Sequence, residues 1–266
     1  MSDTEHHRGS CLCGGVRFET VGPLRDVWAC HCGQCRKTSG HYWAATSVPL
    51  DRLSITSGNT LAWYDSSPAA RRGFCSRCGA SLFWEPKDGG RMAIAPGALD
   101  GPTGLTLPRH IHAEDRGDYY SCEGPPPEAP LNLPERIDCS CLCGAVSFSL
   151  PGPAGEITAC HCGQCRKLSG HYSASFDADE AKVTWHRKEG LAEYRTPGGG
   201  LRGFCKHCGS SLWFRSAKEE FSVEAGSVSG ATGGRLSDHI FVVSKGDYYA
   251  IDDGLPQSGQ WSPPTK

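Results

Sequence analysis

The sequence predicts a mainly β chain of two like domains. Three observations predict it: the chain repeats itself, its apolar residues alternate over short runs, and no segment has the periodicity of a long amphipathic helix. With 34 glycines and 18 prolines in 266 residues, turns and loops take a large share. The length also suits two domains of about 130 residues better than one.

The repeat is read directly. Cys30-His-Cys-Gly-Gln-Cys-Arg-Lys-Thr-Ser-Gly-His-Tyr42 returns as Cys160-His-Cys-Gly-Gln-Cys-Arg-Lys-Leu-Ser-Gly-His-Tyr172, an offset of 130 with a single difference. Ser10-Cys-Leu-Cys-Gly14 returns at Ser140, and Arg72-Gly-Phe-Cys-x-x-Cys-Gly79 at Arg202. Near each end, His110-Ile111 and Gly117-Asp-Tyr-Tyr120 answer to His239-Ile240 and Gly246-Asp-Tyr-Tyr249. Between the copies, Gly124-Pro-Pro-Pro-Glu-Ala-Pro130, with Pro134 beyond, favours a stiff extended linker. The expected domains are 8–122 and 136–257, with a linker over 123–135 and a disordered Pro-rich tail over 258–266. Each side carries all its own cysteines, so the halves are expected to separate at this joint, unless their similarity packs them as a pseudo-dimer.

Within each copy the elements read as strands. Val16-Arg-Phe18 and Val146-Ser-Phe148 alternate apolar and polar residues as half-buried strands do. Trp43–Val48, Leu61–Tyr64, Ser81–Trp84 and Phe221–Val223 are aromatic or β-branched runs bounded by Gly, Pro or Asp.

Charge and hydropathy exclude several classes. Lys+Arg (27) nearly balance Asp+Glu (29), which gives no basic face for nucleic acid or an anionic membrane. No apolar run approaches the roughly 20 residues of a membrane helix. The start, Met1-Ser-Asp-Thr-Glu-His-His-Arg8, lacks the apolar core of a secretory signal, so a reducing cytoplasm is the expected compartment.

Sixteen cysteines in such a compartment point to metal or redox chemistry. C-x-C and C-x-x-C pairs bridge each other only with strain, whereas tetrahedral zinc uses such spacings routinely. Seven cysteines per copy keep register and divide into a four and a three; Cys122 and Cys139 lie outside the repeat, at the seam. Cys11 and Cys13, two apart on an extended strand, would point to one face. Cys75 and Cys78 form a C-x-x-C turn followed by Gly79, which permits a left-handed knuckle. Together they make a closed, structural zinc site, repeated as Cys141, Cys143, Cys205 and Cys208. Cys30, Cys32 and Cys35, repeated as Cys160, Cys162 and Cys165, put three thiolates on one short loop and leave a fourth position for water or substrate, as catalytic zinc does. A further structural site, closed by a distant group, is the alternative. Two sets in each of two copies imply up to four zinc ions. His31 and His161 sit between C-x-C ligands and are expected to point away from the metal. Arg36, Lys37, Arg166 and Lys167 follow the triads and either offset their negative charge or contact a substrate carboxylate. His41 and His171 are polar candidates nearby.

The succession C-x-C-G-x-V-x-F, C-H-C-x-x-C-R and F-C-x-x-C-G-x-x-L resembles the glutathione-dependent formaldehyde-activating enzyme family, known also for its centromere-protein-V-like members. The resemblance runs through both copies. His239-Ile-Phe-Val-Val-Ser-Lys-Gly-Asp-Tyr-Tyr, leading to Asp253-Gly-Leu-Pro-Gln257, matches the family's C-terminal signature; the first copy departs there, with His112-Ala-Glu-Asp in place of the apolar run, which puts its last strand in question. The resemblance implies zinc-bearing β-tent domains of β-sandwich type. It assigns structural zinc to the cysteines at 11, 13, 75 and 78 and catalytic zinc to those at 30, 32 and 35. The implied reaction is carbon–sulfur lyase chemistry joining glutathione and formaldehyde into S-hydroxymethylglutathione, with small-molecule thiol and aldehyde as partners and no nucleic acid or membrane. A non-catalytic zinc module that binds glutathione or a protein partner is the competing reading. A zinc-bearing methionine sulfoxide reductase would need a separate nucleophilic cysteine near each C-terminus, which the two copies do not share.

Overall fold

The computed structural model describes residues 5–128 and 133–260. Part of the Pro-rich linker and most of the expected tail lie outside the described residues. The first copy runs β1 (His6–Ser10), β2 (Arg17–Val21), β3 (Trp28–Cys30), α1 (Gly33–Ser39), β4 (Trp43–Pro49), β5 (Leu53–Ser57), β6 (Leu61–Ser67), β7 (Ala70–Cys75), β8 (Ser81–Pro86), β9 (Arg91–Ile94) and β10 (Arg109–Ile111). The second runs β11 (Arg136–Ser140), β12 (Ser147–Pro151), β13 (Glu156–Cys160), α2 (Gly163–Ser169), β14 (Ser173–Asp177), β15 (Thr184–Arg187), β16 (Leu191–Arg195), β17 (Leu201–Cys205), β18 (Ser211–Arg215), β19 (Phe221–Glu224) and β20 (Arg235–Ile240).

Each copy builds a three-stranded and a seven-stranded sheet in the same order, β1-β2-β5 with β10-β3-β4-β9-β8-β7-β6, and β11-β12-β15 with β20-β13-β14-β19-β18-β17-β16. The pairings are antiparallel except for β10 on β3 and β20 on β13, which are parallel. The mainly β, tandem organisation is the one the sequence predicts. Phe18 and Phe148, the inward residues of β2 and β12, are fully buried, as their alternation requires.

Three local expectations change. The C-x-C cysteines do not lie on a strand: β1 ends at Ser10, and Cys11–Gly14 turn back on themselves, with Gly14 N–H donating to the Cys11 carbonyl at 3.1 Å. The triad is not one loop but a strand end and a helix start. Cys30 closes β3, Cys32 is the N-cap of α1, and Cys35 lies in its first turn, buried. The helix is seven residues long, too short to show an amphipathic period in the sequence. Finally, the first copy keeps its last strand, shortened to three residues against six in the second. The apolar run of the second copy is not strand throughout; after Ile240 it turns at Phe241 (φ 57°), and Val243 is 79% exposed.

The two copies share their interior. Tyr42, Tyr119 and Tyr120 of the first belong to the same buried cluster as Tyr172, Ala174 and Ile157 of the second, and Leu168 packs into the core of the first. Each helix's C-terminal end docks on a 3-10 turn of the other copy. Gly226 N–H donates to the Gly40 carbonyl at 2.7 Å, and Gly97 N–H to that of Gly170 at 2.8 Å. A Cβ on Gly226 would stand 2.3 Å from the Arg36 carbonyl oxygen, and one on Gly97 2.4 Å from that of Arg166, so only glycine allows this approach. Asp118 accepts from Thr232 and Gly233 across the seam, and Asp247 from Thr103 and Gly104. These contacts join the two copies along a shared seam, an arrangement that allows the pseudo-dimer packing their similarity suggests.

Candidate metal centres and active site

The four-cysteine sets converge. The Cys11, Cys13, Cys75 and Cys78 thiols lie within 4.8 Å of one another, as do those of Cys141, Cys143, Cys205 and Cys208. Cys11–Cys13 and Cys13–Cys75 sulfurs are 3.5 and 3.6 Å apart, far outside disulfide length and close to the edge of a zinc–thiolate tetrahedron. The Val16 N–H donates to Cys11 Sγ and the Val146 N–H to Cys141 Sγ, both at 3.2 Å, a partner that suits thiolates. Gly79 (φ 76°) supplies the left-handed turn that aims Cys78 back at Cys75. Left to themselves, these thiols cannot all ionise: Cys78 is pushed far up by its bonds to Cys11 and Cys75, while Cys75 is held far down by its bonds to Cys11 and Cys78. A dication bound by all four removes the conflict, so these residues fit zinc.

The triads converge as well, with Cys30, Cys32 and Cys35 in one group and Cys160, Cys162 and Cys165 in the other. Hydrogen bonds from Cys30 and Cys35 hold Cys32 to about 2, and those from Cys160 and Cys165 do the same for Cys162. Three donors, all sulfur, fit zinc with one position left over. Each triad forms a set of three thiols.

Sequence reasoning missed the cations that face the triads. Arg72 Nη2 donates to Cys35 Sγ at 3.4 Å, and Arg202 Nη2 to Cys165 Sγ at 3.3 Å, both guanidiniums being buried. Burial works against the Arg202 charge, but the thiolates and Glu224 outweigh it and raise its pKa. The signal was present, since each arginine opens the repeated Arg-Gly-Phe-Cys motif. The copies differ behind these arginines. Glu224 lies 3.7 Å from Arg202 and accepts from Ser173 at 2.5 Å, whereas Ala95 and Trp43 hold those positions in the first copy.

Lys37 and Lys167, read as candidate substrate contacts, are placed elsewhere. They lie two residues past the triad's helical cysteine, on another face of a helix with about 100° per residue. Lys37 Nζ lies within 3.2 Å of Ser140 O, Ser140 Oγ, Ser227 O and Ser229 Oγ of the other copy. Lys167 Nζ meets Ser10, Ala98 O and Asp100 in the mirrored arrangement. Both are seam residues. Arg36 and Arg166 each bury a guanidinium Nε with no hydrogen-bond partner among the described residues.

The histidines also face away from the triads. His31 is fully buried, with Nδ1 at 2.8 Å from Tyr120 Oη and Nε2 at 2.9 Å from His110 Nδ1. His161 repeats this with Tyr249 and His239, at 2.6 and 2.8 Å. Burial, then the His110 charge, lowers His31 to about 3, so it stays neutral. His41 and His171 lie at the centre of the molecule. His41 bridges Tyr119 of its own copy (2.7 Å) and Tyr172 of the other (3.2 Å); His171 bridges Tyr248 (2.8 Å) and Tyr42 (2.9 Å). The repeated Gly-Asp-Tyr-Tyr motif supplies the tyrosine partners, a role its spacing alone does not reveal.

A family model described as glutathione-dependent formaldehyde-activating enzyme matches residues 6–115 and 136–244. A putative glutathione-dependent formaldehyde-activating enzyme of Halomonas elongata is 33% identical over 130 residues, covering 43% of this chain and 80% of that protein. An uncharacterized lyase of Schizosaccharomyces pombe is 25% identical over 115 residues, covering 43% of this chain and 83% of its own length. A crystal structure of a Rhodobacter sphaeroides protein superposes with a TM-score of 0.32 at 22% identity, covering 39% of this chain and 99% of that one.

Proposed function

Since the chain belongs, in both its halves, to the glutathione-dependent formaldehyde-activating enzyme family, we propose that it is a zinc-dependent carbon–sulfur lyase-type enzyme that interconverts a glutathione-like thiol plus a small aldehyde with the S-hydroxymethyl adduct. The observation that carries this reading is the pairing, in each copy, of a closed four-cysteine set with a three-cysteine set backed by a buried arginine. Zinc held by such a triad lowers the pKa of a thiol at its free position and polarises a carbonyl. The chain's own residues do the rest. The helix start and the end of the preceding strand hold the three sulfurs in place, and Arg72 or Arg202 offsets part of their negative charge. The thiol–aldehyde adduct conserves all atoms: the sulfur bonds to the carbonyl carbon, and the thiol proton ends on the new hydroxyl. We assign the structural role to the four-cysteine sets, the reactive role to the triads, and up to four zinc ions to the chain. None of the sixteen cysteines is in a disulfide, which suits a reducing compartment such as the cytoplasm. Among the described residues no helix is long and apolar enough to cross a membrane.

The test is the exchange between glutathione and its hydroxymethyl adduct at equilibrium, followed by NMR. Zinc-loaded protein accelerates exchange above the buffer rate, and the Cys32→Ser, Cys162→Ser pair returns it to that rate. Full zinc content without acceleration would favour the binding-module reading.

A further inference from the structure

A further group of metal-ligating side chains, outside both cysteine sets, lies in the first copy. His31 Nε2 and His110 Nδ1 face each other at 2.9 Å, and Cys122 Sγ lies 3.6 Å from the same His31 nitrogen. One ligand atom from each of the three falls within 4.8 Å of the others. We propose that His31, His110 and Cys122 form an additional binding site for a borderline-soft metal ion, Zn2+ foremost, separate from both cysteine sets.

Two imidazoles and a thiolate are a donor set that zinc takes readily and that hard cations do not. His31 is already oriented for it, because Tyr120 Oη holds its other ring nitrogen at 2.8 Å, the outer hydrogen bond that fixes a ligating imidazole. The nitrogen pair has to part by only roughly 0.4 Å to span a tetrahedral ion at a Zn–N distance of about 2.0–2.1 Å. His110 can give that much, since it lies on the three-residue edge strand β10. His110 and Cys122 are half-buried while His31 is fully buried, so the ion enters from the solvent side and keeps a free position there. On binding, the proton that bridges the two facing nitrogens moves to the outer nitrogen of the ring that carried it, so that His31 Nε2 and His110 Nδ1 both present lone pairs to the ion, and the thiol proton leaves to solvent.

The second copy shows what the same frame does without a thiol. His161 and His239 pair in the same way at 2.8 Å, but Asp253 takes the outer His239 nitrogen at 2.8 Å and completes a hydrogen-bonded chain. Two residues past the second tyrosine, where the first copy has Cys122, the second has Ile251. Among the described residues His110 has no carboxylate hydrogen bond. The first copy has therefore exchanged a carboxylate that ties up the histidine pair for a thiol that completes a ligand set.

The test is a zinc count on full-length protein equilibrated at buffered free Zn2+, comparing wild type, Cys122→Ser, His110→Ala and the double variant. Each single variant should hold one zinc fewer than wild type, and the double variant should lose the same single ion and no more. Because the readout is a difference, it stands whatever the cysteine sets hold, and it does not depend on the proposed activity. Cys122→Ser holding as much zinc as wild type, or a double variant that loses two ions, overturns the proposal; Cys122 is then a thiol resting against an imidazole pair.

Discussion

Arg72 and Arg202 show how a residue's role depends on a contact that the sequence records only as a repeat. Each is buried beside its triad's helical cysteine, whereas the lysines two residues past that cysteine in sequence turn away to the seam. The convergence of the cysteines into a four and a three in each copy was legible because it is written in local spacing. The arginines were not, because 37 residues separate Arg72 from Cys35 and only the folded sheet brings them together. His41 and His171 belong to this scale as well. Burial depresses both well below the ordinary histidine range. A group whose folded pKa is lowered contributes stability that is present above its unfolded value and lost as pH falls below it. The contribution of these two histidines to the unfolding free energy should thus be flat above about pH 7 and fall below about 6.5, each adding up to about 1.4 kcal/mol per pH unit. Urea midpoints against pH check this: His41→Gln with His171→Gln should be less stable at pH 8 yet show a slope shallower by about two protons. An unchanged slope would mean that these rings are not held neutral.

At the scale of elements, the short helices α1 and α2 do two jobs. Their N-terminal ends carry triad cysteines, and their C-terminal ends plug into a 3-10 turn of the opposite copy, where Gly97 and Gly226 allow backbone contact. Triad and seam thus share one element, and what disturbs one is felt by the other. The strands and the position of the repeat were legible from alternation and punctuation. The helices were hidden, since seven residues, two turns at most, are too few to show an amphipathic face. The seam was hidden too, because Lys37 meets Ser140 across 103 residues and Ser229 across 192. Cleaving the Pro-rich linker between residues 123 and 135 should therefore leave the two halves together. On dilute gel filtration the nicked chain should elute with the intact one and part only in denaturant. Separation in native buffer would show that the linker, and not the seam, joins them.

For the whole molecule, the account is of a pseudo-dimer in one chain, with four-cysteine sets that close the fold and three-cysteine sets that stay open. The four-cysteine sets bring together segments 62 residues apart, as Cys13 with Cys75 and Cys143 with Cys205, so a metal held there would act as a crosslink whose binding free energy is folding free energy. The triads span only the end of one strand and the first turn of a helix. Serine at position 162 can still accept the Cys165 N–H as a helix N-cap, so the backbone loses little there. The most direct measurement is the thermal midpoint, with a zinc count, of Cys162→Ser beside Cys205→Ser. Cys205→Ser should lower the midpoint by about 10 °C or more, and Cys162→Ser by no more than about 3 °C while holding one zinc fewer. Equal destabilisation by the two would show that the triads are structural as well and would contradict the division on which the account rests.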